Sequence, residues 1–247
     1  MDDVPPTKAW RAEQEQLVTA AAANHSSRAA ALAASSAAAA ASEAEWGELL
    51  ADWQGARDLE PAATRARILA GVPDHHRGAV WQVMAQSHAL SSKRPGAFRK
   101  LVETAAAGAP CEAAIVNDVT RIFPAHHFFR DLNGGGQVEL FQVLKAFSVH
   151  KEHIGYCQGM GFVAGVALLY MPAEQAFWLL NTLTKPASAR GYNMAGMYEA
   201  EVPLLTLSLF QLERVMEQKL PSVWRRLDEL DIVTSMYIRM IPAVLFC

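Results

Sequence analysis

Apolar residues recur at helical spacing along most of this 247-residue chain, and nowhere do several alternating β-rich runs follow one another through turn dipeptides. That pattern points to an all-α fold. Trp46, Leu49, Leu50 and Trp53 fall at i, i+3, i+4 and i+7, so residues 43–53 are expected to bury one face. A helix over 62–70 ends at Gly71 and Pro73 opens the next, following the preference for Gly just past a helix end and Pro just inside a start. Further helices are expected over 95–106, 111–122, 137–150, 158–170, 173–184, 203–219, 221–230 and from Thr234 onward. The run Asn133-Gly134-Gly135-Gly136 reads as the most flexible joint.

Residues 20–44 are mostly Ala and Ser, which favour or tolerate helix but offer few large apolar side chains to dock against a core. Residues 1–42 therefore read as a flexible or helical spacer, with a short amphipathic helix around Trp10 and Leu17, and 43–247 as the compact domain. A formal net charge of -3, with no basic run of five, argues against nucleic acid or an anionic membrane as the main partner. Cys111, Cys157 and Cys247 are too few and scattered for a disulfide framework, and no Cys-x-x-Cys pair suggests zinc. The start Met1-Asp2-Asp3 lacks the order of a signal peptide. The longest uncharged apolar stretch, 159–172, has 14 residues, short of the roughly 20 of a spanning helix. The expectation is a soluble cytoplasmic protein with no transmembrane segment.

Two short strings carry chemistry. Asp118 and Arg121 stand three apart on the expected helix, so the carboxylate can hold the guanidinium's direction. A surface or capping ion pair reads the same spacing without chemistry. Phe123-Pro124 should end the helix just after Arg121 and place it near a rim. Gln158 lies between Gly155 and Gly159, where the backbone can turn tightly. Its amide both donates and accepts, as a group that orients water beside a phosphate requires, and equally as a structural glutamine does. Tyr156 and Met160 read as packing residues.

Other reactive groups fit their plain roles better. Cys157, with His153 four residues earlier, lacks an identifiable orienting third group for a thiol nucleophile. The pairs His75-His76 and His126-His127 diverge on a helix and lack metal-site spacing. Gly134-Gly135-Gly136 is not followed by Lys-Ser/Thr, so no nucleotide, metal or other cofactor is expected to belong to the chain itself. Arg77 and Trp81, at i and i+4, could pack together and fix their helix.

In combination these strings resemble the TBC domain family of Rab GTPase-activating proteins. Gly71-Val72-Pro73 with Arg77 and Trp81 is similar to that family's opening motif, and Ile115-x-x-Asp118-x-x-Arg121 with Phe123-Pro124 to its arginine-finger motif. Tyr156-Cys157-Gln158-Gly159-Met160 is similar to its glutamine-finger motif, and Ala195-Gly196-Met197-Tyr198 to a later string. The resemblance spans 43–247. It implies an all-helical GTPase activator of vesicle traffic whose partner is a GTP-bound Rab-type GTPase that brings its own GTP and Mg²⁺. Arg121 and Gln158 would then be the catalytic pair, with Asp118, Tyr156, Gly159 and Arg77 in support. Ile122 stands where the family usually has Thr, and Ile241-Pro242 where it has a Trp-Phe pair. The family's C-terminal helices would then be lacking, with apolar faces over 158–232 left uncovered. That departure keeps a non-catalytic GTPase-binding module open as the alternative.

Overall fold

The computed structural model describes residues 36–59, 61–109, 111–185, 194–199 and 202–237. These are helical, with no strand among them, as the apolar spacing requires. The expected helix near Trp10, most of the 1–42 spacer, and Ile241-Pro242 lie outside the described residues. Two compact units divide at His76 and Arg77.

The first unit carries α1 (Ser36–Ala51), α2 (Trp53–Leu59) and α3 (Pro61–Ala70), then a 3-10 turn at Asp74–His76. Trp46 and Leu49 are buried as expected, and α1 starts seven residues ahead of the expected 43. Gly71 closes α3 at φ 118°, a left-handed conformation that suits glycine.

The second unit holds α4 (Arg77–Ala85), α5 (Ser87–Lys93), α6 (Ala97–Ala106), α7 (Glu112–Val119) and α8 (Gly135–His150). It continues with α9 (Met160–Leu168), α10 (Ala173–Leu183), a 3-10 turn at Ala195–Met197, α11 (Pro203–Lys219), α12 (Pro221–Glu229) and α13 (Thr234–Tyr237). Helix α8 is the centre, packed by α6, α7, α9 and α10. Its Leu140, Val143, Leu144 and Phe147 stand at i, i+3, i+4 and i+7 and are fully buried. Each such side chain contributes roughly 1.5–3 kcal/mol by leaving water.

Three expectations fail locally. The Asn133–Gly136 run is not a loose joint: α8 starts inside it, and a side chain on Gly136 would collide with the Phe128 carbonyl. Gln137 secures that start by donating to the Phe129 carbonyl at 2.7 Å and accepting from the Asn133 N–H at 3.2 Å. Helix α5 was not anticipated, because His88 and three serines give it weak propensity and its true boundary is the left-handed Gln86 at φ 58°. The helices expected over 111–122 and 158–170 are shorter at the functional motifs, which places Arg121 and Gln158 on turns.

Candidate functional site

Helix α7 stops at Val119, and the chain tightens into a turn in which the Arg121 N–H donates to the Asp118 carbonyl at 2.9 Å. The expected face-sharing pair of Asp118 and Arg121 is therefore absent: their link is through the backbone. The Asp118 carboxylate is 9% exposed and accepts a 2.6 Å hydrogen bond from the Tyr156 hydroxyl. Burial, with that bond to Asp118 second, pushes the Tyr156 phenol well above its usual range, so it stays a donor. Tyr156 is thus more than a packing residue.

A second link runs from the residues just after Arg121. Ile122 is 2% exposed and Phe123 takes φ 45°, which turns the chain back onto α9. The two side chains press where α9 carries glycine. A Cβ on Gly161 would lie 2.5 Å from Ile122 Cδ1, and one on Gly165 would lie 2.9 Å from Ile122 Cγ2 and 3.2 Å from the Phe123 ring. Phe123 also meets Phe162 edge-on at 5.5 Å. Ile122 is accordingly a core anchor.

Gln158 sits on the turn that leads into α9, between Tyr156 and the fully buried Met160. Gly159 at φ 103° makes the turn possible and supports the expected role of that glycine as backbone, since a residue with Cβ would be strained there. The arginine turn and the glutamine turn are joined on both sides, by Asp118 to Tyr156 and by Ile122 and Phe123 to α9. Arg121 and Gln158 themselves are exposed, and neither side chain has a hydrogen bond or ion pair among the described residues. A guanidinium and a carboxamide are thus held on fixed backbones with their polar groups turned to solvent.

Arg77 is the first residue of α4. Its guanidinium is over the Tyr170 ring at 5.9 Å, and Trp81 meets the same ring edge-on at 5.0 Å. The two motif residues share Tyr170 as a partner, and so fix α4 against the end of α9. Cys157 is half-buried, and burial followed by the Asp118 charge raises its thiol above the usual range. That environment opposes a thiolate nucleophile. Beside the arginine turn, a cavity of about 480 Å³ opens between α6, α7 and α8, lined by Val102, Val116, Thr120, Gln137 and Phe141. No group of His, Cys, Asp and Glu among the described residues could hold a metal ion, and no helix there is long and apolar enough to cross a membrane.

Sequence reasoning named Arg121, Gln158, Asp118 and Tyr156 but missed the clamp of Ile122 and Phe123 on Gly161 and Gly165. The signal was present as a Gly-x-x-x-Gly spacing in the apolar stretch after Gln158.

Residues 74–247 match the family model of the Rab-GTPase-TBC domain. The chain is similar to the ecotropic viral integration site 5 ortholog of Drosophila melanogaster, at 32% identity over 192 residues that make up 78% of this chain and 22% of that protein. It is also similar to Rab GTPase-activating protein tbc-11 of Caenorhabditis elegans, at 33% identity over 192 residues, 78% of this chain and 20% of that protein. Its fold is similar to the crystal structure of the Chlamydomonas flagellar RabGAP TBC domain, with a TM-score of 0.58, 22% identity, and coverage of 83% of this chain and 69% of that one. The chain spans about a fifth of the length of these curated relatives.

Proposed function

Because the chain belongs to the Rab-GTPase-TBC domain family, we propose that it accelerates GTP hydrolysis by a Rab-type small GTPase, placing Arg121 and Gln158 in the partner's active site. One observation carries the reading: both side chains are exposed and unpartnered among the described residues, while the backbones that bear them are tied together through Tyr156 and Asp118.

Phosphoryl transfer asks the protein for position and charge. The partner supplies GTP and Mg²⁺; the Arg121 guanidinium, always charged, meets the negative charge on the γ-phosphate oxygens. The Gln158 carbonyl accepts from the attacking water while its NH₂ donates to the phosphate. An arginine supplied in trans is worth about 10³–10⁵ in rate, or roughly 4–7 kcal/mol of barrier. That gain requires the two groups to be in place beforehand, a requirement that anchored turns favour. Membrane traffic is the process, and endomembrane surfaces are the setting, that follow from a Rab-type partner.

The test is complex formation with a panel of Rab-type GTPases loaded with GDP and aluminium fluoride, a mimic of the transferring phosphoryl group. A complex that needs the fluoride and is lost in Arg121→Ala supports the proposal. Equal binding to the GTP-loaded and fluoride-loaded forms, indifferent to Arg121→Ala, would assign the chain to non-catalytic binding instead.

A further inference from the structure

Three helices bring cations to one place, with neither Arg121 nor Gln158 among them. On α10 and the residue pair after it, Trp178, Asn181 and Lys185 follow at i, i+3 and i+7 and share a face. Arg94, just past the end of α5, lies over the Trp178 ring at 5.9 Å. His150, the last residue of α8, meets the same ring at 6.1 Å and Phe177 at 5.6 Å, and Lys151 follows it.

Beneath these cations a buried donor lacks a partner: Trp178 is 1% exposed with its indole N–H unpaired. Asn181, 4% exposed, sets its carboxamide beside the His150 imidazole. Arg94 and Lys185 are exposed and Lys151 half-buried, and none of the three forms a salt bridge or side-chain hydrogen bond among the described residues. Cations at helix C-termini commonly balance the carbonyl ends. The Lys185 ammonium is lowered from its usual range by burial and then by Lys151 and Arg94, and His150 is lowered by burial and then by the same two charges. Only the Asn181 carboxamide opposes the shift of His150, and no carboxylate acts on either group.

We propose that this cluster is an anion site for a phosphate monoester, with Arg94, Lys151 and Lys185 as its cationic ligands. A phosphate group carries close to two charges near neutral pH and three strong acceptor oxygens, which matches three separate cations better than a planar carboxylate does. The group could belong to a phosphorylated lipid headgroup or to a free phosphate, and the chemistry of recognition is the same. The site shares no residue with the proposed catalytic pair, so it stands or falls independently of that reading.

The experiment follows the His150 imidazole by NMR in the full chain, in chloride and in inorganic phosphate at matched ionic strength. In parallel, the chain is sedimented with phosphatidylcholine vesicles that contain or lack phosphatidylinositol 4,5-bisphosphate. Expected is a saturable rise of the His150 titration midpoint in phosphate, sedimentation dependent on the phosphorylated lipid, or both. A response to phosphate alone identifies a soluble ligand, and one to the vesicles alone a membrane lipid. Arg94→Ala with Lys185→Ala should weaken binding by about tenfold or more, the loss of one or two charge-assisted contacts. It should leave the melting temperature equal or higher, because mutual repulsion is relieved. Lys219→Ala, on α11, should bind as the parent does. The proposal is overturned if neither probe binds, or if the double variant folds and binds as tightly as the parent.

Discussion

Tyr156 forms the hydrogen bond that joins the two candidate turns, and its loss can be separated from loss of packing. Tyr156→Phe keeps the ring but leaves the mostly buried Asp118 carboxylate without its 2.6 Å donor. An acceptor stripped of its partner in this way costs about 1–3 kcal/mol. Urea unfolding should show that loss, and hydrolysis should slow more than partner binding weakens, because Gln158 is left less well fixed. A variant as stable as the parent would mean the bond contributes nothing. Gly165→Ala tests the other anchor, since Ile122 Cγ2 and the Phe123 ring leave no room for a Cβ. Overpacking of this kind costs about 1–3 kcal/mol. In a double-mutant cycle the penalty should shrink in an Ile122→Ala background, because the two positions touch.

At the scale of elements, α7 is pinned to α8 by the Lys145 ammonium and the Glu112 carboxylate at 2.8 Å. The bond to Lys145 holds the Glu112 carboxyl below its usual range, against a smaller opposing effect of burial. A depressed carboxyl stabilises the fold above its unfolded pKa, and that contribution is lost as pH falls through the lower folded value. Thermal unfolding should therefore lose stability between about pH 5 and pH 3, with a smaller loss over that range in Glu112→Gln. Equal slopes for parent and variant would contradict the pin. Helices whose limits rest on Pro and Gly were legible in the sequence: α11 runs from Pro203 to Lys219 as expected, and α10 begins at Ala173 after Pro172. Limits that failed lie at Gln86 and Asn133, non-glycine residues at positive φ, at Val119, where α7 stops ahead of Phe123, and at Gly159 before α9; all depend on how the chain turns between segments distant in sequence. For the same reason Arg121 and Gln158 could be named from their motifs, whereas their support by Gly161 and Gly165 depends on a contact between distant segments.

Across the whole molecule, burial is uneven. The helices around α8 carry most of the core, whereas α11 and α12 contain no buried residue and expose Leu207, Phe210, Val215 and Val223 by 45–57%. Local stability follows buried contact, so amide hydrogens of α11 and α12 should exchange faster than those of α8 in native-state hydrogen exchange. Protection of α11 equal to that of α8 would show a cooperativity that this packing does not provide. The catalytic proposal places its demands on the well-packed part, where both exposed polar groups are anchored. Its most direct test is single-turnover GTP hydrolysis by a Rab-type GTPase that binds the chain, with the parent, Arg121→Ala and Gln158→Ala. The account predicts acceleration by the parent, of order 10³-fold or more with a cognate partner, and loss of most of it in either variant. Acceleration that survives Arg121→Ala unchanged, or none by the parent on a GTPase it binds, would contradict it.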